Sequence, residues 1–474
     1  MKENRWVLSL AAVAAFLIFM KVNAPSLDSD GIHYASAAKE IARSGHWLNL
    51  RDPILQKRYY WHFPMSVWPA ALCFKLFGIS PGAAKLYSMG MTLLAVAGLY
   101  LLGRVLSGPW TGWIAGLTFL LTNHVLRIAR QCRPDLPLIA FLVWAFLGLV
   151  LAQSRPPRRK WYLLTGIACW GAIMTKEMVG LVPLAAAAVY FVLRRQWREL
   201  VHPAFWACVL LAVGPVWFWL TLERVLFGNN FWQAYRQQSV DFYMHAQHLA
   251  KPWYYYLQAI LQKDWYHLPL TLAGGWLAWG KIRKGEEPRW GLILLWAAAL
   301  PAGFSLANHK VHYYILPTYA AASLLVGLAC DRWISLPWRR RIWLGVSGLT
   351  AVAALVLAGW PLLTGRDLVP QRLRYAENIQ IAPQIDAVLA ESPGDVLVVR
   401  QDAASLFFYT RRITNQSQCH NWPVFGQKLA AESPRRRYCL IGHQDWELVP
   451  AEVRSFWKVV LDDGARFFLR RDPA

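Results

Sequence analysis

The sequence predicts an α-helical polytopic membrane protein of about eleven transmembrane helices, with its N-terminus inside and its C-terminus outside. Two interfacial helices in the first external loop and a small C-terminal external α/β domain complete the expected fold. Three observations carry this reading. The 474-residue chain is 56% hydrophobic and only 16% charged, against about 25% charged for an ordinary soluble domain. Its apolar residues come in long, nearly charge-free runs, the pattern of membrane spans. Its net charge of +23 gathers in short clusters between those runs, where basic loops fix topology and hold anionic lipid. A disordered or collagen-like chain is excluded, and the positive charge has a membrane explanation ahead of a nucleic-acid one. The seven cysteines, several of them inside apolar runs, do not make a disulfide scaffold.

The first run, Trp6 to Val22, follows Lys2 and Arg5. Asn23-Ala24-Pro25 is a poor cleavage site, so the run reads as a signal anchor that sends Ala24 onward outside. Further runs cover about 83–106, 110–126, 135–152, 161–175, 178–193, 203–221, 267–281, 290–307, 311–330 and 342–363. Charge tests the parity of this count. The connections 153–160, 194–202, 282–289 and 331–341 hold the dense basic clusters, among them Arg158, Arg194, Arg283 and Arg339. All four fall inside if the N-terminus is inside, as the positive-inside rule requires. Counting 65–77 as a span would invert every later loop, so it reads as a helix lying in the outer interface. Segment 31–44 reads the same way, from a helix-period stripe of Ile32, Ala35, Ala38, Ile41 and Ala42.

Residues 24–82 are thus one long external loop, and 222–266 a second, dense in Trp, Tyr, His and Gln. From about 365 the composition turns soluble, which divides the chain into a transmembrane domain over 1–364 and an external domain over 365–474. Val396–Val399, Tyr438–Ile441, Trp457–Leu461 and Phe467–Leu469 read as strands, with Asp463-Gly464 as a hairpin turn. Cys419 and Cys439 lie in this part and are candidates to pair in an oxidising compartment.

Isolated ionisable groups are expensive at a membrane, so their position is informative. They concentrate on the external side: Asp28 and Asp30, then Arg127, Arg130, Arg133 and Asp135, then Lys176 and Glu177, then His309, Lys310 and His312. The arginines before Asp135 break the positive-inside rule and suggest a bound anion. Acids and cations at one face suit transfer from a lipid-linked phosphosugar. A cation neutralises the departing phosphate, worth about 4 kcal/mol per close pair before desolvation. A carboxylate takes the proton of the attacking hydroxyl or orients the acceptor. Plainer readings stand beside these. Asp30 and Asp135 each open a helix and are reasonable caps, and Lys176 and Lys310 can snorkel to headgroups. His62, His245, His248 and His309 are candidates for a divalent metal, but without a fixed ligand spacing.

Six stretches resemble, in order, the polytopic C-type glycosyltransferases of the protein O-mannosyltransferase and lipid A aminoarabinose transferase group. Asp30-Gly31-Ile32-His33-Tyr34 with Ser44-Gly45-His46-Trp47 is similar to the acidic first loop of that group. Tyr60-Trp61-His62-Phe63-Pro64 sits where the aminoarabinose transferases have Tyr-Phe-Glu-Lys-Pro, and Arg133-Pro134-Asp135 resembles the second acidic turn. Met174-Thr175-Lys176-Glu177 resembles their Leu-Thr-Lys-Gly. Lys251-Pro252-Trp253-Tyr254-Tyr255-Tyr256 resembles a Pro-Trp-Tyr-Tyr stretch in their long external loop. His309 to Pro317 resembles Lys-x-x-x-Tyr-Ile-Leu-Pro.

The resemblance implies a multi-pass enzyme of a bacterial inner membrane. It would move a sugar, with inversion, from a polyprenyl-phosphate donor to a lipid, glycan or protein acceptor at the periplasmic face. Asp30 carries over as base or acceptor-orienting group and Asp135 as the second acid. Lys176 and Lys310 carry over as contacts to donor phosphate or acceptor. Tyr34, Tyr60, His62 and His309 lie in the matching stretches as further substrate-binding candidates. His62-Phe63 replaces Glu-Lys, so a phosphate-contacting cation is missing, and Lys57, Arg58 or Arg133 is the candidate replacement. No cofactor is required by this reading, with a divalent metal left open, and membrane lipids but no nucleic acid are the expected partners. A transporter or flippase of a lipid-linked sugar is the alternative; visible repeats and midplane charges would mark it, and neither is seen.

Overall fold

The computed structural model describes residues 4–20, 22–25, 27–53, 57–58, 62–228, 233, 235–236, 250–364, 375–399, 403–413, 416–419 and 436–471. Its contacts divide the chain into two compact units. One comprises Met1–Asn23, Tyr60–Pro69 and Lys85–Pro370; the other comprises Ala24–Tyr59, Ala70–Ala84 and Gln371–Ala474.

The described residues are predominantly helical. In chain order the helices and first strands are α1 (Asn4–Phe19), α2 (Ser29–Ser44), β1 (Arg51–Asp52), β2 (Lys57–Arg58), α3 (Trp68–Phe77), α4 (Pro81–Leu106) and α5 (Pro109–Leu121). Then come α6 (Asn123–Ala129), α7 (Asp135–Ala152), α8 (Tyr162–Lys176), α9 (Val182–Leu193), α10 (Trp197–Leu200) and α11 (Pro203–Phe227). After the second long loop follow α12 (Tyr255–Lys263), α13 (Leu268–Arg283), α14 (Trp290–Ser305), α15 (Leu316–Trp333) and α16 (Leu336–Thr364). Among the described residues, five stretches are long and apolar enough to cross a membrane: 81–106, 135–152, 159–193, 203–227 and 312–333. Their outer surfaces fit lipid rather than water. On α11 alone, Trp206, Leu210, Trp217, Phe218 and Val225 are exposed, a patch that a soluble monomer rarely tolerates.

The stretch 159–193 is not one straight helix. Glu199, just beyond α9, accepts hydrogen bonds from Arg159 Nη2 (2.5 Å) and Tyr162 OH (3.0 Å) at the start of α8. The two helices therefore run antiparallel, and the chain reverses at Lys176-Glu177. Gly180 makes the reversal tight enough: a Cβ there would sit 2.3 Å from the Ile173 backbone nitrogen. Elsewhere α1 is pinned by an aromatic cluster. Trp6 packs edge-on against Trp110, Trp113 and Trp343. Ser9 Oγ accepts from the indoles of Trp113 (3.1 Å) and Trp343 (2.7 Å).

The second unit holds a five-stranded sheet of order β4-β3-β5-β7-β6, built from β3 (Asp395–Val399), β4 (Gln416–Cys419), β5 (Arg436–Gly442), β6 (Trp457–Asp462) and β7 (Arg466–Arg471). β3 pairs parallel with β4 and β5, while β7 runs antiparallel to β5 and β6. Besides α2, the described helices of this unit include α17 (Ala376–Glu391), α18 (Ala403–Tyr409), α19 (His443–Glu447) and α20 (Ala451–Arg454). The register answers the cysteine question. Cys419 pairs with Val399 and Cys439 with Leu397, on opposite sides of β3. Two strand spacings separate them, about 10 Å, beyond the roughly 7 Å that a disulfide bridges.

A second expectation is corrected here. The apolar stripe of α2 does not lie bare for the interface: Ile32, Ala35, Ala38, Ile41 and Ala42 are all buried in protein. A periodic stripe fixes which face is apolar, not what covers it. The cover includes α18, from which Ala404 O accepts the Ser36 hydroxyl at 2.8 Å. Lys39 is buried and donates to the carbonyls of Phe407, Phe408 and Thr410, so its ammonium caps the C-terminal end of α18, where a cation is favoured.

Burial lowers the Lys39 pKa to about 7, helped by Arg43 and opposed by Asp386 and Glu40. Lys39→Met strands three carbonyls and is expected to cost about 2–3 kcal/mol. Because the folded pKa lies below the unfolded one, the unfolded chain binds more protons between pH 7 and 10.5. The parent's stability relative to Lys39→Met should therefore rise with pH across that window. Thermal unfolding of the two proteins in detergent at several pH values checks both the size and the sign.

Candidate active site

The site starts from a helical hairpin. α7 and α8 are antiparallel and of similar length, so the first residue of one meets the last residue of the other. Asp135 opens α7 and Lys176 closes α8, each at the helix end whose dipole favours its charge. Lys176 Nζ donates to Asp135 Oδ1 at 2.8 Å, and Arg133 Nε donates to Oδ2 at 3.0 Å. The side chains of Asp135 and Arg133 are each 6% exposed. Asp135 is no mere cap, since Pro134 holds the N-cap position and no side-chain cap bond forms. The guanidinium of Arg133 lies over the Tyr313 ring (4.4 Å) and Lys176 Nζ near the Tyr314 ring (5.9 Å). Two cations thus share one buried carboxylate.

Lys176 also borders a cavity of about 400 Å³ with mostly apolar walls, including Val182, Leu300 and Phe304. His62, Glu177, His309, Tyr235 and Tyr314 supply its polar points. Glu177 was not singled out from the sequence as a site residue. It is 8% exposed, and its Oε1 accepts from the Phe63 backbone N–H at 3.1 Å and faces His62 Nδ1 at 3.2 Å. Phe63, in the place of the expected cation, is buried beside Trp219 and Tyr235.

Other expected residues have different surroundings. Lys310 is buried and donates to the carbonyls of Lys251 (2.9 Å) and Ala307, with desolvation lowering its pKa from the ordinary lysine value. It clamps the strand-like contact between Ala250 and His309. His309 lines the cavity, its ring 6.1 Å from that of Tyr314. Asp30 and Tyr34 belong to the other unit, on the first turns of α2. There the cap is Asp28, whose Oδ1 accepts from Gly31 N at 2.7 Å, so capping does not account for Asp30. Arg58 lies on β2, but its side chain, like Tyr60, His245 and His248, falls outside the described residues. Among the described residues no group of three or more His, Cys, Asp or Glu converges as a metal site.

The helical unit thus carries a charged cluster at helix ends beside an apolar cavity, and comparison with known proteins shows what the chain is similar to. Residues 61–219 match the family described as dolichyl-phosphate-mannose-protein mannosyltransferase. The undecaprenyl phosphate-α-4-amino-4-deoxy-L-arabinose arabinosyl transferase of Pseudomonas paraeruginosa is 27% identical over 342 residues, covering 69% of this chain and 60% of that protein. The enzyme of the same name from Edwardsiella ictaluri is 27% identical over 357 residues, covering 72% and 62%. The chain thus spans about 60% of the length of these curated relatives. Among solved structures, ArnT from Cupriavidus metallidurans bound to undecaprenyl phosphate superposes with a TM-score of 0.73 at 19% identity, covering 99% of each chain. The Archaeoglobus fulgidus oligosaccharyltransferase tethered to an acceptor peptide gives 0.55 at 11% identity, over 99% of this chain and 74% of that one. Over part of its length the chain thus resembles the C-type glycosyltransferase group in sequence, and over nearly all of it shares the fold of the solved ArnT.

Proposed function

We propose that this chain is a polyprenyl-phosphate-sugar-dependent glycosyltransferase of a bacterial inner membrane. It moves a pentose or hexose, with inversion, to a lipid, glycan or protein acceptor at the periplasmic face. The observation that carries the reading is the Arg133–Asp135–Lys176 cluster, two cations held by one buried carboxylate beside an apolar cavity. An apolar space suits a polyprenyl chain, and a partly neutralised pair of cations suits the phosphate that the chain bears. In the reaction a carboxylate takes the proton of the acceptor hydroxyl, whose oxygen attacks the anomeric carbon. The bond to the phosphate oxygen breaks, and Lys176 and Arg133 receive the charge that develops there. Asp30 is the proposed base or acceptor-orienting group, and Asp135 holds the two cations in place. Tyr34, Tyr60, His62, His309, Arg58 and Lys310 are proposed as surrounding donor or acceptor contacts, Lys310 by fixing its loop.

The proposal includes eleven spans with the N-terminus inside, a transmembrane portion over 1–364 and a periplasmic α/β portion over 365–474. The basic connections and the exposed apolar flanks of the helices support it. Exposed Leu72, Leu76 and Phe77 on α3, opposite buried Ala70, Ala71 and Phe74, support an interfacial helix at that point. The relatives' names supply undecaprenyl phosphate as the carrier; His62-Phe63 in place of Glu-Lys argues against transferring their sugar and acceptor unexamined.

The test is a purified, full-length protein in nanodiscs given undecaprenyl-phosphate-linked sugars and candidate acceptors. Release of undecaprenyl phosphate that depends on acceptor is the expected result. Movement of the intact lipid-linked sugar across a sealed vesicle without any release would overturn the enzyme in favour of a flippase.

A further inference from the structure

Glu177 sits at φ 37° and ψ −114°, a backbone conformation that costs a residue with a side chain about 1–3 kcal/mol. Its carboxylate is also largely withdrawn from water, at a cost of several kcal/mol for an ion without full compensation. What it gains within the protein is small. Oε1 takes the Phe63 N–H and faces His62, and one such hydrogen bond is worth about 1.5–3 kcal/mol net for a charged acceptor. Among the described residues Oε2 has no hydrogen-bond partner, and Glu177 lines the cavity beside Lys176. Strain, burial and a spare acceptor in one side chain are poorly explained by folding alone.

We propose that Glu177 is the residue that recognises the sugar of the donor, its Oε2 accepting hydrogen bonds from a hydroxyl or ammonium substituent of the ring. Resting on the reading of the cavity given above, this assigns two consecutive residues to two halves of one ligand: Lys176 to the phosphate and Glu177 to the sugar. The reversal of the chain after α8 presents both to the same space. His62 is a positioning residue, holding Oε1 so that Oε2 faces the cavity.

The experiment measures affinity of the full-length protein in nanodiscs for undecaprenyl phosphate, for undecaprenyl phosphate-mannose and for undecaprenyl phosphate-4-amino-4-deoxy-L-arabinose. The parent, Glu177→Gln and Glu177→Gly are compared, with melting temperatures. The parent should bind at least one sugar-bearing lipid more tightly than the bare carrier. Glu177→Gly should weaken that lipid about tenfold or more, leave the bare carrier within twofold, and melt no lower than the parent because glycine adopts this φ freely. Glu177→Gln should lose most of the preference if the substituent is an ammonium and keep most of it if it is a hydroxyl, since an amide oxygen still accepts. Equal affinity of parent and Glu177→Gly for every lipid overturns the inference alone. So does a lower melting temperature with parallel loss for all three lipids, which makes Glu177 a structural cap. Binding of none of the three by the parent overturns the reading of the cavity, and this inference with it.

Discussion

Asp30→Asn is expected to reduce release of undecaprenyl phosphate by about 10²–10⁴-fold, the range that a positioned general base contributes, with the melting temperature almost unchanged. The contrast with its neighbour makes the test sharp. Asp28 accepts from Gly31 N and is the N-cap of α2, so Asp28→Ala should cost about 1 kcal/mol of stability with a much smaller effect on turnover. A melt and an initial-rate assay on the two variants separate the roles. If Asp30→Asn keeps full turnover in a purified assay, Asp30 is not the base.

For Asp135→Asn the expectation is different: turnover and stability both fall. The substitution leaves Lys176 and Arg133 as like charges around a neutral amide in a site where Asp135 and Arg133 are almost wholly buried. Removing one member of such an arrangement costs about 3–5 kcal/mol, and a phosphate site whose cations repel loses its geometry. Turnover should drop at least about a hundredfold, the scale on which one misplaced electrostatic group acts. The double variant Asp135→Asn with Lys176→Met should melt higher than Asp135→Asn alone, because it removes the surplus cation; neighbours in one ion-pair network are not additive. Urea or thermal unfolding of the three proteins measures the coupling. Additive losses would mean that the contact between Asp135 and Lys176 carries no energy.

Much of this architecture was legible in the sequence. Apolar runs without charge read as helices because a membrane leaves the backbone no other way to satisfy itself, and each of the runs from Trp6 to 363 contains helix. Asp135 and Lys176 stood out because isolated charges at a membrane are rare, yet their partnership could not be read, being a product of how α7 and α8 return on one another. Glu177 carried a faint signal, an acidic residue where similar sequences have glycine, but its meaning lies in a positive φ that only coordinates show. The stripe on α2 was read correctly as a face and wrongly as a lipid face, since periodicity does not name the neighbour. β4 went unread because Gln416-Ser417-Gln418-Cys419 lacks the β-branched and aromatic residues by which strands are recognised. Asp30 reads as a cap candidate in the sequence, whereas the helix begins two residues sooner with Asp28 as its cap, within the usual uncertainty of helix ends.

The lysine clasp between α2 and α18 has a consequence for anyone shortening this protein. Residues 24–59 and the last hundred or so residues are far apart along the chain, yet they share one compact unit. A version stopped near 364, trimmed on the argument that the tail contributes no reacting group, would expose the apolar side of the helix that bears Asp30 and remove the carbonyls that hold Lys39. Such a fragment should be expressed poorly or be inert, and supplying the missing tail as a separate polypeptide would be the natural attempt at restoring it.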